Sequence, residues 1–376
     1  MSNLKKIVFL TGTRADFGKI KPLLIALENH RSFEVFIFVT GMHLMPEYGY
    51  TLIEIERCGF TNIKTFKNHT SETTMDLTMA KTIEGFSSYV NEINPDLIVI
   101  HGDRIEALAG AAVGSLNNYL VAHIEGGELS GTIDELIRHS VSKLSHIHFV
   151  SNNEAKNRLL QMGEIDASIY VIGSPDVDIM FSDKLPSLTE VKKYYEITFE
   201  NYGLAMFHPV TTEENEMKKY AEDFVNALCE SKKNFVVIFP NNDLGSTHIL
   251  RAYKKIKNHP RFRIFPSLRF EYFLTLLKKA DFMIGNSSAG VREAPYYDVP
   301  TINIGSRQKN RVFADSICNI GYDKESIVNA IKKIEAVTIK SEMPFGEGNS
   351  AEKFLNCIQD DEVWKLSHQK QFQDLK

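Results

Sequence analysis

Two apolar runs in the first half of the chain each end in a charged cluster suited to proton transfer. Asp96-Leu97-Ile98-Val99-Ile100 leads into His101-Gly102-Asp103, and Leu120-Val121-Ala122 leads into His123-Ile124-Glu125. A Gly-rich turn follows, and Ser130-Gly131-Thr132-Ile133-Asp134-Glu135 then opens a helical stretch that carries Arg138. Apolar runs of this length, flanked by helical segments, read as buried parallel strands. In an open parallel sheet, ligands sit beyond the C-terminal ends of the strands. Asp103, Glu125 and Asp134 are therefore expected on one rim, where carboxylates can serve as general acids and bases.

Simpler roles compete for the neighbouring residues. Thr132 and Glu135 fit a capping box, with Thr132 as N-cap and Glu135 at the third helical position, which makes Glu135 structural. Asp134 and Arg138 stand four residues apart on one helical face, and a surface salt bridge is the plain reading of that pair. His101 and His123 each precede an acid by two residues, but no H-E-x-x-H or third-ligand spacing accompanies them. They read as hydrogen-bonded histidines at strand ends, and no metal is expected.

A second anchor lies at Ile284-Gly285-Asn286-Ser287-Ser288-Ala289-Gly290-Val291-Arg292-Glu293-Ala294. A strand ends in glycine, two serines follow, and a helix starts. Serine hydroxyls and unpaired backbone N–H groups there suit a phosphate, and Glu293, one turn on, can accept the two hydroxyls of a ribose. The competing role is that Ser288 is an N-cap and Glu293 is solvated; this accounts for one serine, not two. His208, before Pro209 at a strand end, could serve as a cationic phosphate partner or a general acid. Near the N-terminus, Thr11-Gly12-Thr13-Arg14-Ala15-Asp16-Phe17-Gly18 separates a strand from a helix. Arg14 there either holds a diphosphate bidentately or pairs with Asp16. The turn is not G-x-G-x-x-G, so a dinucleotide fingerprint is lacking.

The elements that must carry these residues repeat as strand then helix. Strands are expected at Ile7–Leu10, Phe33–Thr40, Asp96–Ile100, Leu120–Ile124, His146–Val150 and Ser168–Ile172. Helices are expected at Lys21–Asn29, Met75–Asn91 and Glu106–Leu116. Gly173-Ser174-Pro175 breaks the pattern, and Leu185–Glu200 reads as polar and irregular. It resumes with strands at Tyr202–Phe207, Phe235–Phe239, Phe262–Phe265, Phe282–Gly285 and Thr301–Ile304, and Asn349–Lys376 reads as an amphipathic helix. Repeated βα units imply doubly wound α/β sheets, and 376 residues suit two domains. The domains expected are 1–175, carrying the carboxylates, and 176–355, with 356–376 as a terminal helix.

The composition is that of a soluble globular protein, with 43% hydrophobic and 24% charged residues. A net charge of −5 speaks against a nucleic-acid partner. Cys58, Cys229, Cys318 and Cys357 form no C-x-x-C pair and suit free thiols in a reducing cytoplasm. The apolar run near the N-terminus is too short for a signal peptide or a membrane span.

Together, T-G-T-R-A-D-F-G, H-G-D-R, H-I-E-G-G-E-L-S-G-T-I-D-E-L-I-R-H, H-P-V-T-T, F-P-N-N-D-L-G-S and I-G-N-S-S-A-G-V-R-E resemble, in order, the motifs of the hydrolysing UDP-N-acetylglucosamine 2-epimerases. The resemblance runs from about Lys6 to Phe354. It implies two Rossmann-like domains arranged as in GT-B glycosyltransferases, with the active site in the cleft between them and the last helix returning to the first domain. It implies no cofactor and no metal, a homodimer or homotetramer, and UDP-sugar and UDP as partners. Asp103, Glu125 and Asp134 match the family's catalytic set. UDP contacts fall on Arg14, Ala15, Arg104, His208, Asn241, Ser287, Ser288, Glu293 and Arg307, and Leu268 to Phe270 match the segment that meets the uracil.

The implied reaction eliminates UDP to 2-acetamidoglucal, adds water at C1 and a proton at C2 from the other face, and so releases ManNAc for sialic acid synthesis. Leaving-group charge falls to Arg14, His208 and the Ser287–Ser288 turn. Glu125 and Asp134 handle protons, and Asp103 stabilises charge. The alternatives are the same chemistry on a 2,4-diacetamido-trideoxy sugar, a non-hydrolysing 2-epimerase, and a GT-B glycosyltransferase or a silent nucleotide-sugar sensor.

Overall fold

Strands with no polar alternation must be covered on both faces. In β1 (Lys5–Thr11) the run Ile7-Val8-Phe9-Leu10 is buried throughout, which places it inside a parallel sheet with helices on both sides. A computed structural model describes residues 4–28, 30–69, 74–309, 315–334, 343 and 345–374. The chain forms two compact units: Met1–Glu128 with Asp134–Phe181 and Pro344–Lys376, and Leu129–Ile133 with Ser182–Met343.

In the first unit β1 is joined by β2 (Phe33–Val39), β3 (Ile63–Thr65), β4 (Leu97–His101), β5 (Leu120–Ile124), β6 (Ile147–Val150) and β7 (Ile169–Val171). They pair in the order β3-β2-β1-β4-β5-β6-β7, all parallel. The second unit holds β8 (Gly203–Met206), β9 (Phe235–Ile238), β10 (Phe262–Phe265), β11 (Phe282–Gly285), β12 (Thr301–Ile304) and β13 (Ile317–Ile320). Their order is β10-β9-β8-β11-β12-β13, again parallel. In both sheets the order of strand addition reverses once, between β1 and β4 and between β8 and β11. Such switch points are where open parallel sheets bind ligands.

Three expectations are corrected. The first helix runs Arg14–Glu28 rather than from Lys21, so most of the expected turn is helical. Pro22 lies inside it, yet buried Ile20, Leu23, Leu24 and Leu27 hold the helix against the sheet, and packing outweighs the missing hydrogen bond. The stretch expected to be irregular contains a helix at Leu188–Tyr194, whose N-cap Ser187 accepts from the Glu190 N–H at 3.2 Å. The expected terminal helix is shorter. It spans Ser350–Gln359, one 3-10 turn follows at Val363–Lys365, and the rest to residue 374 is non-helical. Asp178 accepts from the Ser350 and Ala351 N–H groups, both at 2.8 Å, and so caps that helix.

The non-helical tail is fixed by charge. Lys370 donates to the carbonyls of Ser142, Lys143 and Ser145, at 3.0, 2.9 and 2.5 Å, beside the C-terminus of the helix Ile133–Leu144. Its ammonium also lies 2.5 Å from Glu164, which is buried and meets Lys143 at 2.8 Å and His148 at 2.9 Å. Burial opposes charge on Glu164, but His148, Lys370 and Lys143 outweigh it and hold the pKa at about 2. A depressed carboxylate stabilises the fold above its unfolded value and loses that contribution as pH falls through the folded one. Glu164→Gln is therefore expected to cost about 3–5 kcal/mol at neutral pH, the scale of breaking a buried pair. In urea melts the gap between wild type and variant should close between about pH 4.5 and 2; a gap independent of pH would contradict this.

Candidate active site

Backbone geometry at the ends of β4 and β5 decides what the first rim presents. Gly102 follows β4 with a φ of 73°, in the left-handed region. Glu125 follows β5 at 64° without being a glycine, and such a conformation costs about 1–3 kcal/mol unless the surroundings impose it. Here the Glu125 N–H donates to the Phe149 carbonyl at 2.8 Å. The side chain is buried, 3% exposed. One carboxylate oxygen accepts from the Ser174 hydroxyl. The other lies 3.1 Å from His101 Nε2 and 3.7 Å from Lys19 Nζ.

His101 connects this carboxylate to another. Its Nδ1 is 2.8 Å from Asp16 Oδ1, and Asp16 Oδ2 accepts from the Thr11 hydroxyl and the Gly12 N–H, at 2.7 and 3.0 Å. Burial works against charge on His101, but Glu125 and Asp16 on its two nitrogens raise its pKa to about 9, so it is an imidazolium at neutral pH. Lys19 is likewise shared, 2.9 Å from Asp176. His123 is the opposite case. Burial pushes it down to about 3, so the neutral ring donates from Nε2 to the Gly102 carbonyl at 2.8 Å and accepts at Nδ1 from Ser142, 3.0 Å away. It supports the turn before Asp103.

Asp103 accepts from Arg138. Arg138 is buried rather than on the surface, and its other terminal nitrogen lies 3.7 Å from Glu128. Its side chain thus reaches the β4 turn, a contact that the spacing to Asp134 does not foretell. Asp134 sits half-buried in the first turn of the helix Ile133–Leu144. Arg14 is the first residue of its helix and faces Glu54 at 3.8 Å, while Asp16 is engaged by Thr11, Gly12 and His101. Ala15 is exposed beside it. Arg104 approaches Glu106 at 3.4 Å. Burial disfavours the Glu106 anion, yet Arg104 and His69 bring its pKa down to about 2. Among the described residues, no three His, Cys, Asp or Glu side chains are grouped to hold a metal ion.

The second rim lies at the β8–β11 switch and is organised by Asn286. Its side chain accepts from the His208 N–H at 2.6 Å and donates to the His208 carbonyl at 2.9 Å, while its own N–H donates to the Met206 carbonyl at 3.1 Å. Its carbonyl accepts from Arg307 at 3.3 Å and from Gln308 at 2.8 Å. Gly285, at a φ of 135°, allows this close approach: a Cβ there would lie 1.8 Å from the Met206 carbonyl oxygen. His208 Nδ1 accepts from the Asn241 N–H at 3.0 Å, so the neutral ring carries its proton on Nε2 and can donate from it.

Ser288 occupies the N-cap of the short helix Ala289–Arg292, but its hydroxyl makes no capping bond. The Ser287 hydroxyl accepts from the Ala289 N–H at 3.3 Å. Glu293 closes the helix and is buried, as is Leu268 just ahead of the helix Phe270–Lys278.

The expected residues thus fall into two sets. Arg14, Ala15, Asp103, Arg104, Glu125 and Asp134 belong to the first unit, and His208, Asn241, Leu268, Ser287, Ser288, Glu293 and Arg307 to the second. Sequence reasoning missed Lys19, Ser174, Asp176, Asn286 and Gln308. Only Asn286 carried a signal, its place between the strand-end glycine and the serine pair.

The sequence model of the family described as UDP-N-acetylglucosamine 2-epimerase matches residues 25–359. The chain is 50% identical over 376 residues to the UDP-N-acetylglucosamine 2-epimerase of Neisseria meningitidis serogroup B, covering 99% of this chain and 100% of that protein. It is 31% identical over 362 residues to the UDP-N,N'-diacetylbacillosamine 2-epimerase (hydrolyzing) of Legionella pneumophila, covering 94% and 96%. Its fold matches the Methanocaldococcus jannaschii UDP-GlcNAc 2-epimerase crystallised with UDP-GlcNAc and UDP, at a TM-score of 0.80, 23% identity and coverage of 94% and 99%. The chain belongs to the UDP-N-acetylglucosamine 2-epimerase family.

Proposed function

We propose that this protein is a hydrolysing 2-epimerase that converts UDP-GlcNAc to UDP and free ManNAc, supplying sialic acid synthesis. The observation that carries the reading is Glu125, a buried carboxylate fixed on a parallel-sheet rim by Ser174 and an imidazolium. The Neisseria relative, 50% identical over the full length, supports the sugar nucleotide, and the Legionella relative supports the hydrolysing outcome.

The C2–H of the sugar is not adjacent to a carbonyl, so direct deprotonation is slow. Departure of UDP builds an oxocarbenium-like centre at C1 and acidifies C2–H. Glu125 and Asp134 handle protons, and Asp103, oriented by Arg138, steadies positive charge. The leaving diphosphate is taken by Arg14, the His208 Nε2–H and the Ser287–Ser288 turn, with Ala15, Arg104, Asn241 and Arg307 as further UDP contacts. Glu293 takes the ribose and Leu268 the uracil. Water then adds to the 2-acetamidoglucal at C1, and a proton at C2 from the opposite face. A homodimeric or homotetrameric state and a cytoplasmic location belong to the same proposal.

One second reading has a specific support. The Legionella relative is named for a diacetylbacillosamine nucleotide, so the same chemistry on a UDP-2,4-diacetamido-trideoxy sugar is the competitor. Incubation with each nucleotide sugar and NMR of the products decides. Free ManNAc from UDP-GlcNAc is expected, with slower turnover of the diacetamido analogue. The reverse preference selects the second reading, and a UDP-linked 2-epimer contradicts both.

A further inference from the structure

The first unit holds more buried charge than three catalytic carboxylates require. Asp176, Lys19, Glu125, His101 and Asp16 form one continuous series, with separations of 2.9, 3.7, 3.1 and 2.8 Å. Burying charges is costly unless each is compensated, so a row of five needs a purpose. We propose that His101, anchored by Asp16, is a positioning residue that keeps Glu125 ionised and aimed for proton transfer. The proposal rests on Glu125 as a proton-handling group.

The geometry supports a fixed relay. Asp16 cannot turn away, because Thr11 and the Gly12 N–H hold its second oxygen. Its first oxygen therefore fixes the His101 ring, and the ring's far nitrogen fixes Glu125. The backbone of Glu125 is held in the left-handed region, and Ser174 occupies its other oxygen.

Charges facing Glu125 include the cations His101 and Lys19, and behind them the anions Asp16 and Asp176; the neighbouring His123 is neutral. With the His101 charge gone, Glu125 loses its nearer cation and keeps Lys19, which it shares with Asp176. The affinity of Glu125 for a proton must then rise.

The test is the pH profile of kcat. His101→Gln keeps an N–H donor near Glu125 but carries no charge. Its kcat is expected to fall on the order of 10–100-fold at neutral pH, with KM within about threefold of wild type. The acid limb of the profile should move up by about one pH unit or more. Loss of a merely structural side chain would lower the whole profile without moving the limb. If His101→Gln is inactive throughout, Asp16→Asn reads the same limb and should move it in the same direction. An acid limb in place in whichever variant turns over overturns the proposal. Glu125→Gln separates the failures: if it turns over normally, the assignment of Glu125 is wrong; if it is inactive and the limb stays in place, only the role of His101 fails.

Discussion

Glu125→Gln is expected to lower kcat by about a thousandfold or more, within the range of losing a positioned general base, while UDP still binds. The amide is the same size as the carboxylate but does not accept a proton at working pH. The fold should tolerate it. The Ser174 hydroxyl can rotate to accept from the new amide, and the amide oxygen can receive the His101 N–H. The cost is electrostatic, because His101 and Lys19 lose the anion they share. UDP affinity by calorimetry should stay within about threefold, which identifies a loss confined to the transition state. Turnover within tenfold of wild type would remove Glu125 from the chemistry.

Gly285→Ala is expected to have the largest effect on the second unit. An added Cβ would meet the Met206 carbonyl oxygen at 1.8 Å, a separation no side-chain rotation relieves, because both atoms are fixed by the backbone. The strand end must move, and with it the Asn286 contacts to Met206 and His208, and the Arg307 and Gln308 bonds to the Asn286 carbonyl. Backbone strain and lost hydrogen bonds together are expected to cost about 2–4 kcal/mol of stability. UDP affinity should fall by at least tenfold, because the serine turn and His208 both depend on this crossing. A variant with the melting curve and UDP affinity of wild type would mean that Asn286 does not organise the rim.

How legible this was depended on distance along the chain. The strands were readable because Val, Ile, Leu and Phe run without interruption where both faces are covered. Edge strands β3 and β13 carry little signal: β13 is Ile317-Cys318-Asn319-Ile320 with its two middle residues exposed, and so has no apolar run. Asp103 and Glu125 were readable as residues just past strand ends. Helical spacing pairs Arg138 with Asp134 and carries no sign that its long side chain crosses to Asp103. Lys19, Ser174 and Asp176 had no local signal, since Lys19 and Ser174 reach Glu125, and Asp176 reaches Lys19, from segments far away in sequence. In the sequence His101 reads as a satisfied strand-end histidine. Only folding shows that both its partners are carboxylates and that it is charged.

The central claim is elimination followed by hydration, and isotopes test it most directly. The protein is to be incubated with UDP-GlcNAc in deuterated, 18O-enriched water, with the products followed by NMR and mass spectrometry. Elimination breaks the C1–O bond, so the released UDP should contain no 18O, while the free 2-epimer should carry deuterium at C2. UDP labelled with 18O, or a free sugar still bearing its original hydrogen at C2, would contradict the account.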